Sequence, residues 1–91
     1  MGFTRDEATA RAKQDLAARL NVTEDSIKAS VSDQEFPDLA LGAAASGEMS
    51  GQMISSGWQI KLEADGKSYE YRADKYQLRL VDFEGSNHVI K

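Results

Sequence analysis

The strongest constraint in this sequence is the segment 58–74, which has the pattern of a β-hairpin. Apolar residues alternate with polar ones on both sides of Asp65-Gly66, a pair that suits a two-residue type I′ turn because both central residues of that turn need positive φ. This turn fixes the register of the two strands. The predicted cross-strand pairs are Trp58 with Ala73, Ile60 with Tyr71 and Leu62 with Tyr69 on the apolar face, and Lys61 with Glu70 and Gln59 with Arg72 on the polar face.

A helix is predicted before this hairpin, beginning after Thr4. Thr4 and Glu7 have the spacing of a Thr-x-x-Glu capping box, and Asn21 is predicted to end the helix in the left-handed conformation. The apolar residues of the segment recur every four positions and form one narrow stripe, consisting of Ala8, Ala12, Leu16 and Leu20. Because alanine side chains are short, this stripe favours close packing of the helix on the apolar face of the hairpin.

Further strands are predicted on both sides of the hairpin. Residues 27–32 and 76–80 alternate between apolar and polar types, and a short strand is expected through Val89 and Ile90. Val81 and Phe83 break the earlier alternation, which predicts a β-bulge. A tight turn at Asp74-Lys75 would place Tyr71 opposite Leu78, and Glu70 between Lys61 and Arg79 in a ladder of charges. We therefore predict a single α+β domain over residues 1–91, with the N-terminal helix packed on a three- to four-stranded antiparallel sheet.

Residues 39–57, LALGAAASGEMSGQMISSG, keep neither helical nor strand periodicity. Loops longer than about 12–15 residues are usually functional or disordered, so a long loop insertion at about 39–57 is the first place to expect a functional surface. Met49 and Met53 could form one turn of an apolar helix on the domain, or an adaptable exposed contact surface. Trp58 could stack on a ligand at the mouth of the loop or close the core. The candidate residues for contact with a partner are Glu48, Met49, Gln52, Met53, Ile54 and Trp58.

The composition argues against most catalytic chemistry. The chain has no cysteine, which excludes disulfides, thiolate catalysis and zinc sites with cysteine ligands. The one histidine, His88, lies three residues from the end, where a serine triad would depend on a frayed terminus for its base. The glycines of the long loop fit neither a phosphate-binding loop nor a dinucleotide fingerprint. We therefore predict a protein that is not an enzyme and uses no cofactor or metal.

Charge limits the partners that the chain can bind. The formal net charge is −4, and between Leu20 and Ile60 Lys28 is the only lysine or arginine among several acids. Nucleic acids and anionic membranes need a basic surface, so neither is an expected partner. The acidic middle is either a solvated surface or a site for a basic partner or a weakly bound cation. A protein partner is expected, and the chain is predicted to be a monomer or a homodimer, since sheet edges can pair with a second copy.

The cellular compartment stays open from the sequence alone. The first residues contain no basic region followed by an apolar one, and no run of about 18 apolar residues is present to span a bilayer. As it stands, the sequence favours the cytoplasm. An exported location would require that a signal segment had been removed.

Several segments together resemble known families. The order of the helix EATARAKQDLAARLN, the strand SIKASVS, the hairpin WQIKLEADGKSYEYRAD and the segment YQLRLV is similar to the PepSY domain. The FPD, LG, GW and ADGKSYEYRAD segments resemble a family of small, functionally uncharacterised bacterial proteins, many of them cyanobacterial, over nearly the whole chain. The PepSY resemblance implies a helix on an antiparallel sheet and a regulatory or peptidase-inhibitory module, often outside the cytoplasm. Cystatin-type inhibitors have a similar layer arrangement, although residues 52–57 lack the valine of their Gln-x-Val-x-Gly loop and are one residue too long.

From these observations we expect a non-enzymatic protein-interaction or regulatory module that contacts its partner through the long loop. Two alternatives remain open. One is a peptidase inhibitor of the PepSY type, and the other is a small-ligand binder with a pocket near Trp58.

Overall fold

A computed structural model describes residues 2–45, 47–49 and 51–91. This part of the chain forms one α-helix, one short 3-10 turn and a five-stranded antiparallel sheet with the strands in sequence order. The elements are α1 (Arg5–Leu20), the 3-10 turn (Glu24–Ser26), β1 (Lys28–Phe36), β2 (Ser55–Ala64), β3 (Lys67–Ala73), β4 (Leu78–Phe83) and β5 (Ser86–Val89). The predicted α+β class is confirmed. The predicted three to four strands are too few, because every predicted strand segment joins the same sheet, including the last one, which pairs with β4 after the chain turns back at Glu84-Gly85, both at positive φ.

The hairpin of β2 and β3 has the predicted turn and the predicted register. Asp65 and Gly66 both have positive φ, 53° and 76°, as a type I′ turn requires. Every cross-strand pair expected from Trp58–Ala73 to Leu62–Tyr69 is present, on both faces of the ribbon. The register was predictable because the turn and the alternation are local features of the sequence.

The helix is capped at both ends as predicted. The Thr4 hydroxyl accepts a hydrogen bond from the Glu7 amide at 3.1 Å, and the Glu7 carboxylate accepts one from the Thr4 amide at 2.9 Å. Asn21 ends the helix with φ 56° and ψ 47°. These bonds satisfy backbone groups that a helix end leaves without intrahelical partners.

The core lies between α1 and one face of the sheet. Ala8, Ala12 and Leu16 of the helix are fully buried, as the four-residue spacing predicts. The buried residues that they join on the sheet are Ile60, Leu62, Ala64, Tyr71, Ala73, Leu78 and Leu80. The tyrosines of β3 therefore face the helix, where Tyr71 is buried completely and Tyr69 in part.

The pairing of β3 with β4 differs from the predicted register. Tyr71 lies opposite Leu80, Glu70 opposite Val81 and Arg72 opposite Arg79, so the predicted ladder of Lys61, Glu70 and Arg79 is wrong at its last member. The reason is the turn, which spans four residues, 74–77, because the buried Asp74 carboxylate accepts the amides of Tyr76 and Gln77 at 2.7 and 3.0 Å. The predicted bulge is confirmed by a register shift between Leu80 and Phe83, with Asp82 at φ 50°.

Among the described residues, no helix combines the length and the apolar character that crossing a membrane requires.

Candidate functional site

The connection between β1 and β2, residues 37–54, has two parts with different surroundings. Residues 38–45, the inner part, lie on the sheet face that points away from α1. Residues 47–49 and 51–54, here called the arm, follow the inner part and lead into β2. The predicted loop of 39–57 is therefore replaced from residue 55 onward by β2, and Ser46 and Ser50 lie outside the described residues.

Two arginines fix the inner part to the sheet. Arg72 and Arg79 lie opposite each other in β3 and β4, at positions that alternate with the core residues and therefore face away from the helix. The guanidinium of Arg72 donates to the Leu41 carbonyl at 2.8 Å, and that of Arg79 donates to the Ala43 carbonyl at 3.3 Å. Two like charges at directly opposite positions of neighbouring strands repel each other. Each is balanced by a carboxylate, Glu70 for Arg72 and Glu48 for Arg79.

Two amide side chains extend this row of contacts. Gln77 donates to the Leu39 carbonyl and also accepts from Arg79 Nε at 2.7 Å. Asn87 of β5 donates to the Ala44 carbonyl at 3.0 Å. Side chains from three strands and the β3–β4 turn thus reach four backbone carbonyls of the inner part.

The inner part has a compact local structure. The Asp38 carboxylate accepts the amides of Ala40 and Gly42, both at 2.9 Å, and Leu41 adopts positive φ. Ala40, Leu41 and Ala43 are buried. Of the predicted loop insertion, this part therefore offers little free surface, because the side chains of Ala40, Leu41 and Ala43 and four of its carbonyls are used by the domain itself.

Glu48, one of the predicted contact residues, is bound to the sheet by hydrogen bonds. Its carboxylate accepts two hydrogen bonds from the Arg79 guanidinium, one of them 2.7 Å between Nη2 and Oε2, and one from the Ala45 amide at 2.9 Å. The bonds from Arg79, followed by the bond from Ala45, lower the pKa of Glu48 to about 2. Glu48 therefore holds the start of the arm to the sheet.

The rest of the arm is exposed. Met49, Met53 and Ile54 have 96%, 64% and 70% of their surface accessible, and Gln52 is exposed as well. Of the two alternatives for the methionines, the helical turn does not form at the described positions of the arm, and the exposed surface does. Leu39, also exposed, lies beside the arm because its amide donates to the Gly51 carbonyl at 2.9 Å.

Trp58 lies apart from the arm, inside β2. It is half-buried against the core, which favours the core-closing alternative, and it lines a groove of about 420 Å³. Asp33, directly opposite in β1, and Glu35 line the same groove together with Gln34, Ser56 and Gly57. The structure thus separates the predicted site residues into an anchor, Glu48, an exposed arm and a groove at Trp58.

Sequence reasoning missed Arg72 and Arg79 as the residues that shape this site. Both occupy polar positions of alternating strands, which is the pattern of a solvent-exposed face. Arg79 is nevertheless only 5% exposed. The sequence carried no signal for this burial, because a cation between two apolar residues of a strand also fits a solvated face, and the position of Arg79 opposite Arg72 depends on the β3–β4 register.

The described residues contain no group of three or more histidine, aspartate or glutamate side chains placed to hold a metal ion. His88 lies beside Phe83, whose carbonyl is 3.3 Å from its Nε2 and whose ring packs against the imidazole at a centroid distance of 6.0 Å. These contacts belong to the packing of β5 on β4.

Comparison with known proteins gives one family and no further relatives. No curated protein and no solved structure matches the chain. Residues 9–81, which run from the first turns of α1 into β4, match the family described as Domain of unknown function (DUF8738). The match covers most of the chain, including the inner part, the arm, the hairpin and Arg79, and the protein therefore belongs to the DUF8738 family.

Proposed function

We propose that this protein is a non-enzymatic module that binds a protein partner through the arm. The observation that carries the proposal is the exposure of Met49, Met53 and Ile54 on one short segment whose two ends are held by the sheet. Apolar side chains exposed together in this way are typical of contact surfaces. Methionine is common in such surfaces because its unbranched side chain adapts to irregular apolar partners.

The anchoring of the arm supports this proposal energetically. A mobile segment loses conformational freedom when it binds, and that loss subtracts from the affinity. The ion pair of Glu48 with Arg79 and the hydrogen bond of Leu39 with Gly51 restrict the arm before any partner binds. An arm that is held in advance therefore keeps more of the free energy that apolar burial provides on binding.

The experiment compares capture of a partner by matched variants. The protein is immobilised and exposed to lysate of the organism that encodes it, and the retained proteins are identified by mass spectrometry. A Met49→Ser, Met53→Ser double variant removes the apolar surface of the arm. Tyr76→Ser is the control, because Tyr76 is 77% exposed but belongs to the β3–β4 turn, outside the arm.

We expect the wild type and the Tyr76 variant to retain the same protein, and the double variant to lose it. Circular dichroism spectra and melting temperatures verify that all three remain folded. Equal retention by the double variant would contradict the proposal.

The resemblance to the PepSY domain supports a narrower second candidate, in which the partner is a peptidase that the arm inhibits. An exposed segment fixed at its base is the arrangement by which a loop can occupy a cleft and resist cleavage. Titration of serine, cysteine and metallopeptidases with the protein tests this candidate. Lack of inhibition at high micromolar concentration would exclude it without affecting the broader proposal.

The groove at Trp58 supports a third candidate, a binder of small ligands. Its size falls within the range of small-molecule sites, and the indole ring offers a flat apolar wall. Titration of tryptophan fluorescence with a metabolite library tests it directly, because Trp58 is the only tryptophan of the chain. An unchanged emission spectrum throughout would exclude this candidate.

A further inference from the structure

We propose that a small aromatic carboxylate binds in a second groove, between the first turns of α1 and the β3–β4 turn. This groove has a volume of about 380 Å³, within the range of small-molecule sites. The residues of its lining that matter for binding are Phe3, Arg11, Gln14, Lys75, Tyr76 and Lys91. The proposal is independent of the arm, which lies on the opposite face of the sheet.

The groove is built by the segment that precedes the helix. The Phe3 amide donates to the Lys75 carbonyl at 2.9 Å, so this segment runs against the β3–β4 turn. Gly2 makes the approach possible, because a Cβ at this position would lie 2.3 Å from the Lys75 carbonyl oxygen. These contacts hold Lys75 and Tyr76 beside the helix face that carries Arg11.

The groove gathers positive charge in a chain whose net charge is −4. Among the described residues, Arg11, Lys75 and Lys91 form no ion pair. The one side-chain carboxylate of the lining, Glu7, already accepts the Thr4 amide in the capping box. Three cationic side chains therefore face one acidic side chain, which already accepts a backbone amide, and this excess of positive side chains favours a bound anion.

The aromatic rings of the groove select the rest of the ligand. The Lys91 ammonium lies 5.5 Å from the centre of the Phe3 ring, and the Lys75 ammonium lies 5.8 Å from that of Tyr76. A cation near each ring lets one ligand place a carboxylate on an ammonium and its flat apolar body against the adjacent ring. An inorganic anion would use only the first of these contacts, and an organic cation would be repelled.

The test is an NMR titration of the ¹⁵N-labelled full chain with three probes: benzoate, benzylamine and inorganic phosphate. We expect benzoate to cause saturable shifts of the amides at residues 2–14 and 75–77, and benzylamine to cause none there. Phosphate should bind at least about tenfold more weakly than benzoate, because it makes no contact with the rings.

Variants locate the site. An Arg11→Gln, Lys75→Gln double variant should raise the Kd for benzoate by about tenfold or more, which corresponds to about 1.4 kcal/mol, because it removes two of the cations that attract the carboxylate. Lys67→Gln is the matched control, because Lys67 is exposed at the far end of the hairpin, and its Kd should equal that of the wild type. No saturation by benzoate up to about 10 mM, equal binding of phosphate, or shifts confined to other residues would overturn the proposal.

Discussion

The guanidinium of Arg79 donates to both carboxylate oxygens of Glu48, although 31 residues separate them in the sequence. The side chain of Arg79 is 6% exposed and that of Glu48 31%, so the pair lies at the boundary between the sheet and solvent. The planar fork of an arginine suits two parallel hydrogen bonds to a carboxylate. This pair joins the start of the arm to β4, and its strength decides how firmly the arm is held.

Replacement of Arg79 by lysine separates the charge of this residue from its geometry. Lysine keeps the positive charge but cannot reproduce the bonds of the guanidinium to the Ala43 carbonyl and to Gln77. We expect Arg79→Lys to lower the free energy of unfolding by about 1–3 kcal/mol, because Ala43 is buried and its carbonyl loses a partner. Urea denaturation measures the change. Arg11→Lys, at an exposed position, is the control, and equal stability of the two variants would contradict the role of Arg79.

Acid should weaken the attachment of Glu48, and with it the start of the arm, to Arg79. The pKa of Glu48 lies at about 2 in the folded chain, below its ordinary value of 4.5, because Arg79 and the Ala45 amide donate to the ionised carboxylate. The unfolded chain therefore binds more protons than the folded chain between these two values. The contribution of Glu48 to stability is complete above about pH 4.5 and is lost as the pH falls from there towards 2.

The measurement is hydrogen exchange of the amides of residues 39–45 and 47–49 at pH 5.5 and pH 2.5, corrected for the intrinsic rates. We expect protection to fall at the lower pH in the wild type and to change less in Glu48→Gln. Glu70→Gln is a second variant for the same pH comparison. Burial opposes ionisation of Glu70, but the bonds from Gln59 and Arg72 outweigh burial and lower the pKa, so Glu70 contributes with the same sign. A Glu48→Gln variant with the full pH response of the wild type would refute the prediction that Glu48 causes this response.

The hydroxyl of Tyr71 links the centre of the sheet to the helix. It donates to Asp15 Oδ2 at 2.7 Å, and the same carboxylate accepts from Arg19 at 2.7 Å. Burial, followed by the nearby Asp15 carboxylate, raises the pKa of Tyr71 well above its usual range, so the phenol stays protonated and remains a donor. We expect Tyr71→Phe to lower the free energy of unfolding by about 1–2 kcal/mol.

The control for this prediction is Tyr69→Phe, on the same face of β3 and only partly buried. Its hydroxyl makes no hydrogen bond within the described part of the chain, so its removal should change stability by less than about 0.5 kcal/mol. Chemical denaturation of both variants, followed by far-ultraviolet circular dichroism, measures the difference. Indistinguishable midpoints would show that the bond to Asp15 adds nothing to stability.

The features that sequence reasoning predicted correctly are those set by neighbours in the chain. The turn at Asp65-Gly66 and the alternation around it define the hairpin register, and Thr4 with Glu7 defines the start of α1. Each depends on residues a few positions apart, where backbone geometry leaves few alternatives. The packing of α1 on the hairpin then follows, because each element has only one apolar face.

The features that could not be predicted depend on distant contacts or on a single turn. The inner part of the connection is fixed by side chains that reach its carbonyls, and a backbone carbonyl leaves no trace in a sequence pattern. The β3–β4 register depends on whether Asp74 closes a turn of two residues or of four, and its carboxylate decides this by capping two amides. Both the burial of Arg79 and the division of the long loop into a fixed part and an arm follow from these contacts.

Gly57 offers the most localised test of the fold around Trp58. A Cβ at Gly57 would lie 2.1 Å from the Ala73 carbonyl oxygen and 3.0 Å from the Asp74 Cβ. The backbone of Ala73 has little freedom to move, since Ala73 pairs with Trp58 on one side and with Leu78 on the other. Gly57→Ala should therefore separate the ends of β2 and β3 and lower the free energy of unfolding by about 1–3 kcal/mol.

Ser56→Ala is the matched control for this substitution, because it changes the adjacent exposed position of the same strand without adding an atom. Thermal unfolding and the emission spectrum of Trp58 measure both variants. We expect the Gly57 variant to melt earlier and to emit at longer wavelength, since separation of the strands admits water to the half-buried indole. A Gly57 variant within about 0.5 kcal/mol of the control, with unchanged emission, would mean that the two strands do not approach each other as closely as this geometry requires.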